Sequence, residues 1–466
     1  MSKVYANKRI ELMAKGDIGR ALFTLSAPAV VGMLVMSLYN VVDTFFVSLL
    51  NDTTAIAATG IVFPLFQLIG AIGLTFGVGA ASVISRRLGE EDHDAAERTA
   101  ATALFSALIV GLLFALFGLI YMPSILTLFG ATASILDAAV LYGRLIVTGS
   151  VFVVLNMCLN NLLRSEGASL HSSTGQILGA VMNMILDPIF IFGLDMGLAG
   201  AAVATVISQG IGCFYLVSYY LRHKGVLHPL SLKHFRPGRA TYLPMMALGV
   251  PTFVRQVLGS ISLSFVNNAA GEYGDAAIAA TSIVFRLFML LLMSLMGVAQ
   301  GLQPLVGYNF GAGNIPRVRE TLKKVMVTTV SFCTVAGLLF FFFAPGIIAI
   351  FASQDEAVMR IGILALRLTA VALVPTGLVL MFGGVFQALG DGTSALLLAA
   401  GQQGLFMIPL VLILPRIFGV AGVVAAQPAG FLLAFGVGLL LFLKSHRKLN
   451  QREEDGSWRN LSSEKA

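Results

Sequence analysis

The chain has 466 residues, 57% of them hydrophobic and only 11% charged, with a formal net charge of +7 and a mean hydropathy of +0.88. A soluble chain of this length needs far more charge to cover its surface, so a soluble globular fold is excluded. The basic balance would suit nucleic acid in a soluble protein; here the placement of the charges gives it another cause, and no nucleic-acid partner is expected.

A polar leader with Lys3, Lys8, Arg9, Lys15 and Arg20 comes first. The apolar run behind it starts near Ala21 and continues past Phe46. That is too long for the core of a cleavable signal peptide, so it is expected to stay as the first span. A helix needs about 20 apolar residues to cross the hydrocarbon core. Twelve stretches meet that need. In the first half they cover 22–48, 55–84, 98–121, 136–162, 170–193 and 198–221. In the second half they cover 243–269, 277–305, 321–343, 357–385, 393–414 and 419–443. The longest polar stretch between spans carries Arg222, Lys224, Lys233, Arg236 and Arg239. It divides the chain into a first lobe (1–225), a linker (226–241), a second lobe (242–444) and a tail (445–466).

Basic residues set the orientation, because cytoplasmic loops collect Lys and Arg. With the N-terminus in the cytoplasm, 24 of the 30 basic residues fall on that side. They include Arg86, Arg87, Arg98, Arg164, Arg317, Arg319, Lys323 and Lys324, and in the tail Lys444, Arg447, Lys448, Arg452, Arg459 and Lys465. The exceptions are Arg144, Arg255, Arg286, Arg360, Arg367 and Arg416. Twelve spans then leave both termini cytoplasmic, in the cytoplasmic (inner) membrane.

An internal repeat gives the architecture. Residues 56–66 read IAATGIVFPLF and residues 278–288 read IAATSIVFRLF, nine matches in eleven at an offset of 222. Gly197 and Gly200 answer Gly419 and Gly422 at the same offset, and Pro28 answers Pro251 at 223. Arg164 and Gly167 answer Gln387 and Gly390, also at 223. The expected fold is an all-α polytopic membrane protein, with twelve transmembrane helices in two pseudo-symmetric six-helix bundles. Six spans per half make the halves parallel, with a substrate path between them.

Charges deep in a span cost several kcal/mol and are functional candidates by default. Two acids sit well inside apolar runs, Asp43 in span one and Asp187 in span five. Asn183 is four residues before Asp187, on the same helix face. Asn40 is three before Asp43. Two carboxylates with amide oxygens nearby can share a proton, or wrap a dehydrated sodium ion. Pro188 removes a backbone donor and frees a carbonyl, which suits a helix that bends. At the repeat offset Asp187 answers Pro409 and Asn183 answers Leu405, so the second half lacks these groups.

Met36, Tyr39 and Asn40 in span one, Asn156 and Asn160 in span four, Arg255 in span seven and Gln300 in span eight are candidates for a substrate cavity. The amides, Asn161 and Gln303 among them, can instead bond helix to helix. Arg255 either snorkels to the cytoplasm or sets the charge that the second-half cavity accepts. Arg286 either neutralises a partner or meets a helix end. The cysteines (Cys158, Cys213, Cys333) lie in apolar runs without metal-type spacing and are read as small buried hydrophobes. The six histidines fall in loops or at span ends, and no nucleophile elbow, phosphate loop or HExxH string occurs. No enzyme, cofactor or metal is expected, apart from a coupling H+ or Na+. One charge moving down roughly 150 mV supports a gradient of roughly a few hundredfold for a neutral compound.

These features resemble the MATE (multidrug and toxic compound extrusion) family over residues 15–445, and within it the MepA-like and DinF-like bacterial branch. The motifs are Tyr39-Asn-Val-Val-Asp43, Asn183-Met-Ile-Leu-Asp187-Pro188 and the stretch from Gly197 to Thr205. The resemblance implies a first-half cation site at Asp43, Asn183, Asp187 and Thr205. It implies export of amphipathic, often cationic, xenobiotics in exchange for H+ or Na+ by a monomer among membrane lipids. The NorM-like branch has an acid within span seven; here Glu272 and Asp275 sit in the following outer loop, so no second-half cation site is expected. The alternative within the superfamily is a lipid-linked oligosaccharide flippase, which needs a long cationic cavity. A membrane-embedded enzyme needs a catalytic constellation in the spans, and a channel would not build a steep gradient.

Overall fold

In lipid no water satisfies the backbone, so each crossing segment must bond its own N–H and C=O groups. A computed structural model describes residues 2–50, 52–222, 225–352 and 355–454. Lys224, Arg459 and Lys465 lie outside the described residues. The apolar runs are all helical, and the described residues contain no strand. A leader helix α1 (Ser2–Lys15) precedes the first lobe, which holds α2 (Ile18–Ser48), α3 (Thr53–Gly89), α4 (His93–Leu128), α5 (Ala133–Thr148), α6 (Ser150–Ser165), α7 (Ser169–Pro188) and α8 (Gly197–Leu221). The second holds α9 (Arg239–Gly271), α10 (Asp275–Gly311), α11 (Ile315–Phe342), the short α12 (Ala344–Ala352), α13 (Glu356–Leu389), α14 (Gly392–Ala400), α15 (Met407–Phe418) and α16 (Val420–Glu454). Eleven described segments are long and apolar enough to cross a bilayer, and α5 and α6, bent by 45° at Gly149, make a twelfth.

The helices outrun the apolar runs at both ends. Arg86 and Arg87 fall inside α3, Arg98 inside α4, and the segment read as the tail from residue 445 continues α16 to Glu454. Helices α8 and α9 are joined by residues 222–238, so the connection begins and ends a few residues before 226–241. Many loop acids have a plain task. Asp17, Asp52, Asp92, Asp355 and Asp391 cap helices by accepting from backbone N–H groups in the first turn, as does Asn314. Each such cap is worth about 1 kcal/mol. The three cysteines are buried and free.

The repeat is carried through the architecture. Helices α3 and α10 have 37 residues each, and their ends are 222 apart. The seam between the lobes obeys the same two-fold relation: α2 packs on α10, α9 packs on α3, and α3 crosses α10. A Cβ on Gly89 would lie 2.0 Å from the Tyr308 carbonyl oxygen, and one on Gly311 would lie 2.0 Å from that of Arg86. These pairs exchange under the 222 offset, so only glycine lets the two backbones touch at the pseudo-axis. Nearby, the Ser82 hydroxyl and the Arg86 guanidinium donate to the Gln387 carbonyl. The leader strengthens the seam from the same face, since Asn309 Nδ2 and Arg317 Nε donate to the Met13 carbonyl, both at 3.0 Å. We call this the terminal face, because the leader packs there. Toward the opposite face each lobe keeps its own apolar core, Val47, Ile191 and Ala201 in the first and Val284, Ile348, Leu366 and Val424 in the second.

Glu166, just past α6, is fully buried. Its Oε2 accepts from the backbone N–H of Val226 at 2.7 Å and of Leu227 at 3.3 Å, while Oε1 has no donor. Arg9 of the leader donates to Tyr219 beside it. One carboxyl thus joins the first lobe, the linker and the leader. Burial pushes its pKa from the usual 4.5 up to about 7, against the pull of both N–H donors and Arg9. The folded chain therefore holds this proton more tightly than the unfolded chain. Its stabilising contribution is fully present below 4.5 and is lost as pH rises through about 7. A thiol-reactive dye reports unfolding by reaching the buried cysteines. The midpoint temperature is expected to fall between about pH 5 and pH 8 in the native chain, and to fall less in Glu166→Gln. Equal falls in both proteins would remove Glu166 from the account.

Candidate functional site

Three helices of the first lobe bring the site together. The four-residue spacing on α7 puts Asn183 and Asp187 on one face, and both are buried. Asn183 Nδ2 donates to Asp187 Oδ1 at 3.2 Å and to Thr205 Oγ1 on α8 at 3.3 Å. From α2, the Asp43 carboxyl stands close enough to Asp187 for the two to interact electrostatically. Tyr39, one turn earlier on α2, lines the same cavity as Thr205. All four residues of the expected cation site are therefore neighbours.

The site is short of donors. Asp43 Oδ1, Asn183 Oδ1 and Asp187 Oδ2 are buried and accept no hydrogen bond. An unsatisfied buried acceptor costs about 1–3 kcal/mol, more when charged. Two ionised carboxylates this close also repel. A proton shared between them relieves both costs. A sodium ion does the same, because the unused groups are hard oxygens of the kind that hold such cations. The residues present fit either ion.

The backbone below the site is irregular. Pro188 leaves the Met184 carbonyl without its helical donor. The chain then widens into a π turn at Ile189–Gly193, with Leu194 N–H bonded to the Ile189 carbonyl at 2.9 Å. Such turns recur at functional sites because they loosen the helical ladder. The second lobe has its own π segment, Gly401–Phe406. It is not at the equivalent position, so the repeat diverges in this span.

Asn183 and Thr205 also line a partly open cavity, with about 450 Å³ of empty space that includes its solvent-open mouth. Met36, Tyr39, Asn156 and Asn160 line it. The asparagines also bind helix to helix: Asn156 Nδ2 donates to the Gln209 carbonyl at 2.8 Å, and Asn160 Oδ1 accepts from Ser172 at 2.8 Å. Two candidates do not line it. Asn40 sits on the exposed side of α2 with its Nδ2 bonded to the Met36 carbonyl at 2.8 Å. Gln300 lies on α10, away from this cavity. Arg255 lines a separate, partly open cavity in the second lobe. Arg286 is exposed on α10, and no described acid faces it as a partner.

Several site residues were not singled out from sequence. Gln209 and Ser208 line the cavity one turn from Thr205, a helical spacing that would have found them. Gln176 lines it too and accepts from the buried Arg164 at 3.0 Å. Tyr142 on α5 stands close to both aspartates. A tyrosine in an apolar span carries no signal of that.

The MatE family model matches the chain twice, over residues 28–189 and 251–413. The matches start 223 residues apart, the offset of the internal repeat. The chain is 29% identical to the multidrug export protein MepA of Staphylococcus saprophyticus, over 90% of this chain and 92% of the relative. It is 30% identical to that of Staphylococcus haemolyticus, over 88% and 90%. Among solved structures it resembles the outward-facing conformation of a multidrug resistance MATE family transporter of the MOP superfamily, with a TM-score of 0.87 and 28% identity over 95% of this chain and 98% of the other.

Proposed function

The chain belongs to the MatE family, and from that premise we propose that it is a secondary active exporter of amphipathic, often cationic, compounds, driven by inward movement of H+ or Na+. That the chain is a multi-pass membrane protein of the multidrug efflux type rests on its apolar helices, the family match and the MepA relatives. The observation that carries the exchange reading is the cluster of Asp43, Asp187 and Asn183, each with one buried oxygen that no donor reaches, beside a cavity that Asn183 and Thr205 line.

Sharing a wall makes ion and drug alternatives. The empty ion site holds negative charge next to the cavity and favours a cationic guest. Filling it removes that charge and draws α2, through Asp43 and Tyr39, against α7 and α8. The cavity narrows and its guest leaves toward the opposite face, where the lobes keep separate cores. Opening of the terminal seam then exposes the site to the cytoplasm, the ion leaves inward and a new guest enters. In this reading both termini are cytoplasmic and the membrane is the inner membrane.

The test uses inverted vesicles holding the pure protein, with ethidium uptake followed under a proton or a sodium gradient alone. Uptake under protons only assigns the carboxyl pair as a proton relay. Uptake under sodium only assigns the four residues as an ion cage. In the sodium case Asn183→Ala and Thr205→Val each lower the apparent sodium affinity by about tenfold, since each removes one oxygen ligand. In the proton case Thr205→Val changes uptake by less than about threefold, because the carboxyls still share the proton. Uptake under neither gradient overturns the exchange reading in favour of flipping a lipid-linked substrate.

A further inference from the structure

The second-lobe cavity carries a charge that the exchange cycle leaves unused. Arg255 lines it with Pro251, Gln387 and Gln402, and the rest of the wall is apolar, including Val379, Leu380 and Leu398. Among the described residues no acid faces the guanidinium. The described acids of this lobe sit at helix ends, where Asp355 and Asp391 are occupied as caps. Gln387 Nε2 is committed to Thr252 Oγ1 at 3.0 Å. An unpaired cation in a low-dielectric wall is costly unless an anion joins it. Its five N–H donors form a planar fork that matches a carboxylate.

The repeat shows that this charge belongs to one lobe only. At the offset of 223 Arg255 answers Gly32. Conversely, Asp187 answers Pro409. The two cavities occupy repeat-related places but differ in charge: Arg255 lines the second, while the first has a neutral lining with the two aspartates beside it. A device needed only to hold a helix would suit both halves.

We propose that the second-lobe cavity is an anion subsite, in which Arg255 takes the carboxylate of a zwitterionic amphiphile whose apolar body lies on Val379, Leu380 and Leu398. This rests on the export reading and narrows its substrates: zwitterions join the cations, each lobe recognising one charge. The phosphate of an anionic lipid offers the same chemistry as a second source.

The test is equilibrium binding by fluorescence anisotropy, to the full chain in lipid nanodiscs. The probes are a rhodamine carboxylic acid and its methyl ester, which share one fluorophore and differ only in the anion. The acid-to-ester affinity ratio is expected to fall by about tenfold or more in Arg255→Gln, the loss of one charge-assisted pair, and less in Arg255→Lys. An unchanged ratio in Arg255→Gln overturns the proposal, as does an equal weakening of acid and ester, which is the mark of a structural arginine. Discs with and without phosphatidylglycerol separate the sources. Competition by that lipid in the native chain, but not in Arg255→Gln, keeps the anion subsite and assigns lipid phosphate as an occupant. No competition leaves the carboxylate substrate. Binding needs no gradient, so failure of the exchange reading appears separately, as vesicles that ignore both gradients while the acid-over-ester contrast persists.

Discussion

Asp43→Asn and Asp187→Asn are each expected to abolish gradient-driven accumulation of ethidium in vesicles, taking the ratio from roughly a few hundredfold toward unity. Asparagine keeps the shape of aspartate and its ability to hydrogen-bond, so packing survives. It can neither take up a proton in this range nor offer a second charged oxygen to sodium. With one acid gone the pair cannot alternate between charged and neutral, and the two states of the cycle lose their differential affinity for the ion. An ion that binds both states equally shifts nothing. The thiol-dye unfolding temperature should stay near that of the native chain, which separates lost coupling from lost folding. Accumulation above about half of the native level in both variants would take the pair out of the mechanism.

The second large effect concerns the seam. Gly89→Ala and Gly311→Ala each put a methyl 2.0 Å from a carbonyl oxygen of the facing helix. Neither backbone can yield without parting the lobes. Overpacking of this kind costs about 1–3 kcal/mol, or roughly 5- to 150-fold in an equilibrium. The cost falls only on the state with a closed terminal seam, so the population moves toward the state with that seam open. Spin labels at Glu90 and Ala312, a repeat-equivalent pair at the ends of α3 and α10, read the change directly. A longer distance is expected in both variants, and in equal measure because the two contacts are symmetry mates. An unchanged distance with unchanged transport would show that the seam does not open at the pseudo-axis.

The sequence was most readable where one physical rule acted alone. Length and apolarity located the spans, and the constant offset that joins Gly89 to Gly311 is the offset of the repeated IAAT motif. Asn183 and Asp187 were readable as a pair because helical spacing fixes a shared face. Asn40 followed the same rule on α2 and lies off the cavity. A membrane helix is apolar toward lipid as well as toward protein, so periodicity does not reveal which face is buried. Tyr142 was invisible because its nearness to Asp43 depends on how α5 packs, not on local spacing. Glu166 reads as an ordinary loop acid until the leader and linker close over it. The charge of Arg255 was plain in the sequence; that it lines a second cavity, apart from the acids, required the fold.

The central claim is that ion and drug compete for one wall of the first lobe. The most direct measurement is the dissociation constant of ethidium for the purified chain, by fluorescence, across proton and sodium concentration without any gradient. The account predicts that binding weakens as the coupling ion rises, with a slope of about one ion per ethidium. It predicts no such slope in the Asp43→Asn, Asp187→Asn double variant. Native affinity that ignores both ions, or a double variant that keeps the native slope, would contradict it.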